Sequence, residues 1–163
     1  MAGLAIEIGR STGDWARAFP GLEDLLHRAA QAAWRVAGSD EAAILSILLT
    51  DAAFVRDLNR DYRGQDKPTN VLAFPAGYEG VEVPARPLGD IVFALEVLEE
   101  EAEAQSKTPA DHLSHLTVHG MLHLLGHDHE TETQATAMEA LETEILHSLG
   151  IADPYAVTNE PVG

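Results

Sequence analysis

No cysteine occurs among the 163 residues, which excludes disulfides and thiolate chemistry and suits a reducing compartment. Positive charge is also scarce. Ten Lys and Arg stand against 27 Asp and Glu, for a formal net charge of −17. A protein that grips a polyanion through many phosphates displays a basic face. The one basic cluster here is Arg56, Arg60, Arg63 and Lys67, and Asp57, Asp61 and Asp66 are interleaved with it. Any polyanionic substrate is therefore expected to be engaged locally or delivered by a partner, because an acidic surface repels nonspecific polyanions. Long apolar runs are missing too. The longest, Ala42 to Leu49, is far short of a membrane span, and Glu7 and Arg10 interrupt the N-terminal stretch. The expectation is a soluble, cytoplasmic protein with no membrane partner.

What remains is an ordinary globular composition, 45% hydrophobic and 23% charged. Its length suits one domain over residues 1–150, with 151–163 as a C-terminal tail. Leu4 to Ile8 reads as a first strand, and Leu22 to Val36 carries apolar residues at helical spacing up to Gly38. Ile44 to Leu49 reads as a buried strand running into a Thr50-Asp51 cap. The next helix bears Phe54, Leu58 and Tyr62 on one side and ends near Arg63-Gly64. Val71 to Phe74 is a third strand, Gly77 to Pro87 a loop, and Ile91 to Leu95 a fourth strand. Glu96 to Gln105 is helical, and a solvated face accounts for its five glutamates.

Thr108-Pro109 starts another helix, with a capping hydroxyl and proline at the first position. Thr131 and Gln134 form an expected capping box for a last helix, with Met138, Leu141, Ile145 and Leu149 as its apolar stripe. Helices between successive strands favour parallel pairing, and the helix-free third connection allows an antiparallel pair. The expected architecture is α+β, a mixed four-stranded sheet packed with about five helices.

Six of the eight histidines fall between His112 and His129, and the run His119-Gly-Met-Leu-His-Leu-Leu-Gly-His-Asp-His129 holds the densest group. His119 and His123 are four apart, so both imidazoles leave one helix face. Gly126 offers the residue type that ends a helix with φ > 0, after which His129 can swing back as a third ligand. Three neutral imidazoles leave a position for water, which is the arrangement of catalytic zinc sites. A closed structural site favours cysteine, although Asp128 or His127 could supply a fourth ligand. The spacing is zincin-like, yet metzincin peptidases carry a glutamate base where this chain has Gly120. Metal-assisted hydrolysis fits the pattern and peptide hydrolysis does not. Gly120 costs about 1 kcal/mol of helix stability relative to alanine, which implies close packing at that point.

Three blocks together resemble the YbeY family of bacterial metal-dependent endoribonucleases. They are the histidine run, Tyr62-Arg63-Gly64-Gln65-Asp66-Lys67-Pro68-Thr69-Asn70-Val71-Leu72-Ala73-Phe74-Pro75, and Leu88-Gly89-Asp90-Ile91. The resemblance implies a single-strand-specific endoribonuclease that matures the 3′ end of small-subunit ribosomal RNA and acts in ribosome quality control. By it, His119, His123 and His129 would bind Zn2+ or another divalent transition metal, and Arg63 would be the functional arginine. A guanidinium offers a planar fork matched to phosphate oxygens; pairing with Asp61 or Asp66 is the bland alternative for Arg63. Lys67 would add positive charge, and Asp66 and Asn70 read as turn formers. His127, Asp128 and His115 are candidates for the proton acceptor. The implied partners are ribosomal RNA, the small ribosomal subunit and assembly factors, with no DNA. Two rival classes are a zinc metallopeptidase-like hydrolase and a ribosome-assembly factor whose metal is mainly structural.

Overall fold

The computed structural model describes residues 3–10, 15, 21–67, 69–76, 84–128 and 130–152. Within them run β1 (Leu4–Arg10), α1 (Leu22–Ala37), β2 (Ala43–Thr50), α2 (Ala52–Arg63), β3 (Val71–Pro75), β4 (Arg86–Ala94), α3 (Leu95–Ala104), α4 (Pro109–Leu124) and α5 (Glu132–Ser148). The four strands form one sheet in the order β1-β2-β4-β3. β1 pairs parallel to β2 and β2 parallel to β4, while β3 lies antiparallel to β4 at the edge. Among the described residues the expected mixed sheet with five helices is what forms, and β3 and β4 are the antiparallel pair. One boundary differs. β4 begins at Arg86 and ends at Ala94, with a register shift opposite Ile44/Leu45. Pro87 and Gly89 hide a strand from a sequence reading, since both residue types are depleted there.

Alternation along the strands sends two sets of side chains to two faces. Leu45, Ile47, Leu49, Ile91 and Phe93 join the larger core with α1, α4 and α5. Leu72, Val92 and Ala94 join Val55 of α2 in a smaller core on the other face. The histidine-bearing helix and the arginine-bearing helix thus cover opposite faces of the sheet. Each fully buried Leu, Ile or Phe contributes roughly 1.5–3 kcal/mol, so the larger core on the α4 face dominates the stability.

Side-chain caps fix the starts of α2, α4 and α5. Asp51 accepts from the Phe54 amide at 2.9 Å, Thr108 from Asp111 at 3.1 Å, and Thr131 and Gln134 complete the capping box. The buried side of α2, however, is Val55 and Asn59. Phe54 is 40% and Tyr62 71% exposed. Asn59 is drawn inward because its side-chain amide donates to the Lys67 carbonyl at 2.9 Å, closing the loop after the helix. Among the described residues no helix is long and apolar enough to cross a membrane.

Candidate metal centre

α4 is buried on most of its circumference, with Leu113, Leu116, Val118, Met121, Leu122 and Leu124 all in the core. Gly120 faces the sheet. A Cβ there would stand 3.0 Å from Ile91 Cδ1 and 3.2 Å from its Cγ2, which accounts for a glycine within a helix. The position of the metzincin glutamate is consequently pressed against β4, and no base can project into a cleft from it.

The remaining flank carries the imidazoles in a row. Ring centroids of His112 and His115 lie 6.3 Å apart, His115 and His119 6.4 Å, and His119 and His123 4.6 Å. At the end of the row, His119 Nε2 and His123 Nε2 face each other at 3.1 Å. Two nitrogens bound to one tetrahedral ion at ~2.0–2.1 Å lie about 3.3 Å apart, so this pair fits a shared divalent cation with little movement. Beyond His123 the helix ends as its glycine requires. Gly126 has φ 99°, and the His127 amide returns to the Leu122 carbonyl at 2.9 Å.

His129 lies outside the described residues, and among those described no three side chains form a cation-binding group. His127 and Asp128, just past the helix, are half-buried. A cavity of about 180 Å³ lies elsewhere, between Leu25 and Arg28 of α1, Asp111 of α4 and Leu149, and the histidine row does not line it.

A carboxylate holds the row from behind. Glu142 of α5 is fully buried, with Oε1 2.6 Å from His119 Nδ1 and 3.5 Å from His115 Nε2. The sequence reading missed it. The available signal was a glutamate at the helical spacing of the buried stripe, four residues after Met138 and three before Ile145. At the other end of the row, His112 is buried with Nε2 2.9 Å from Glu101 Oε1, which also accepts from Asn70 Nδ2 at 2.8 Å. Glu101 is therefore a brace between the start of β3, α3 and α4 rather than part of a solvated face, and Asn70 belongs to that brace. Glu96 of the same helix accepts from the Ala52 amide at 2.9 Å. Partial burial pushes the Glu101 carboxyl up. Hydrogen bonds from His112 and Asn70, with the attraction of His112 and Lys107, outweigh that, and the net shift is downward.

Arg63 is exposed at the C-terminus of α2, where Gly64 turns the chain with φ 71°. Its neighbours are mutually paired. Arg56 takes Asp66 at 2.7 Å, and Arg60 takes Asp61 at 3.2 Å and Asp57 at 3.4 Å. The hydrogen bond and charge of Arg56 lower the Asp66 carboxyl below its ordinary range. No ion pair joins Arg63 to Asp61 or Asp66 among the described residues. Tyr62 beside it sets its ring edge-on to Phe74 of β3, centroids 5.6 Å apart. The fold brings His119 and His123 together and leaves Arg63 on the far face, beside the β3 edge.

The sequence model of a family described as endoribonuclease YbeY matches residues 14–150. This chain belongs to the YbeY family. An endoribonuclease YbeY of Parvibaculum lavamentivorans is 52% identical over 95% of this chain and 86% of its own length. A protein of the same name from a Bradyrhizobium species is 52% identical over 84% of each chain. The solution structure of TM1509 from Thermotoga maritima covers 97% of this chain and 98% of its own with a TM-score of 0.55 at 24% identity, a likeness of fold. The family membership agrees with the resemblance read from the three sequence blocks.

Proposed function

We propose that this YbeY-family chain is a metal-dependent endoribonuclease of ribosomal RNA processing, with single-stranded RNA at the 3′ end of the small-subunit RNA as substrate. The observation that carries the site assignment is the pair of Nε2 atoms at 3.1 Å on the open flank of α4. His119, His123 and His129 are the ligands in this reading, and Zn2+ is the ion, since neutral imidazole with an open position suits it. When bound, the ion supplies Lewis acidity toward a phosphoryl oxygen and a more acidic water.

The chain's own groups do the rest. Arg63, with no carboxylate claiming it among the described residues, offers a forked donor to the phosphate where charge develops. Because α2 lies across the sheet from α4, substrate would have to pass over the β3 edge to meet both groups. The proton acceptor is to be sought among His115, His127 and Asp128. Glu142 is excluded by its full burial. The peptidase alternative finds no support, since position 120 is packed on Ile91 and cannot offer a base. A cytoplasmic location and delivery to the small ribosomal subunit by assembly factors accord with the charge of −17.

Two substitutions test the assignment. Arg63→Glu should lower RNA cleavage by about 10²–10³-fold with metal content retained, whereas His123→Ala should lose both. Cleavage by Arg63→Glu at the parental rate would remove the arginine from the mechanism. Parental metal content in His123→Ala would remove the histidine from the site.

A further inference from the structure

Glu142 belongs to no recognised block of the sequence, yet it is the only acidic side chain among the described residues that is fully buried. An ionised carboxylate in a core is costly unless it is hydrogen-bonded and charge-compensated. Its position across from the histidine row answers the first requirement. Oε1 accepts from His119 Nδ1 at 2.6 Å and stands 3.5 Å from His115 Nε2. With Glu142 ionised, its carboxylate only accepts, which puts the His119 proton on Nδ1. That choice of tautomer leaves the Nε2 lone pair pointing away from α5, at the His123 Nε2 3.1 Å off.

We infer that Glu142 is the positioning residue of the metal centre, selecting the tautomer and ring orientation of His119 and supplying part of the negative charge that compensates a dication. The inference rests on the metal-site reading above. It assigns a function to α5, which otherwise only covers the α4 face of the core. α5 delivers the carboxylate from its buried stripe, Met138–Glu142–Ile145, held by the same apolar contacts that dock the helix. A second carboxylate anchors the opposite end of the row, Glu101 on His112. The imidazoles are thus fixed from two helices while their own helix supplies only the spacing.

The test is zinc affinity by competition with a chromophoric chelator, paired with thermal melting of the metal-free protein. Glu142→Leu removes both acceptor and charge and should weaken zinc binding toward 100-fold. Glu142→Gln keeps an acceptor for the Nδ1 proton but no charge and should weaken it about 10-fold, within the range that outer-sphere carboxylates command. A merely structural glutamate would lower the melting midpoint of the metal-free protein and leave the zinc affinity of the folded fraction at the parental value, and that result would overturn the inference. If Glu142→Leu does not fold, Glu142→Gln decides alone, and parental affinity in it is equally fatal. A parent that binds no zinc would defeat the metal-site reading itself, whereas parental binding with unaltered variants defeats only the part given to Glu142.

Discussion

Two glutamates on the helices flanking α4 show how much at the residue scale depends on partners distant in sequence. Glu101 and Glu142 each meet a histidine, at separations of 11 and 23 residues. Nothing in their immediate neighbours marks them, and an acidic run such as that around Glu101 reads as a solvated surface until the fold closes. Glu142 had a signal, its place on an apolar stripe; Glu101 had none. Glu101 has a testable consequence in acid. Its carboxyl is held below the ordinary value by His112, Asn70 and Lys107 against the opposing effect of burial. A group with a depressed folded value stabilises fully above its unfolded pKa, about 4.3, and loses that contribution as pH falls through the lower folded value. The melting midpoint of the parent should therefore exceed that of Glu101→Gln at pH 5.5, with the gap shrinking toward pH 3. A gap independent of pH would mean that the brace acts by shape alone. The side chain is one-third open to solvent (34% exposed), so the effect is a modest one.

At the scale of elements, helix caps and hydrophobic period made the order of strands and helices legible, and the histidine spacing placed two ligand candidates on one flank. Three things were hidden. The inward side of α2 was set by a hydrogen bond from Asn59 to the loop it closes, against the apolar spacing of Phe54 and Tyr62. The start of β4 was masked by residues that disfavour strands. The placement of Arg63 on the opposite face from α4 depends on sheet order, which local periodicity does not contain. Gly120 was the reverse case, where a local cost announced a long-range contact. Its neighbour is Ile91 at 3.0 Å. Gly120→Glu would write the metzincin motif into α4 while forcing an unpaired carboxylate against β4. It should cost roughly 3–5 kcal/mol of stability and create no peptidase activity. A chemical denaturation curve matching that of the parent would show that α4 stands off the sheet more than the structure allows.

Considered whole, the molecule sets its two candidate groups on opposite faces of one sheet. One face of the sheet carries α1, α4 and α5 with the histidines, and the other carries α2 with Arg63, so the edge strand β3 is where a substrate could meet both. A net charge of −17 opposes nonspecific attraction of a polyanion such as RNA. In the proposed function, cleavage depends on the centre at the end of α4. The most direct test is the rate of cleavage of a single-stranded RNA by chelator-stripped protein as Zn2+ is returned, with bound metal measured in the same samples. The account predicts that cleavage vanishes on stripping and recovers in step with bound metal, saturating near about one ion per chain. Full cleavage by protein holding far less than one ion per chain would contradict it.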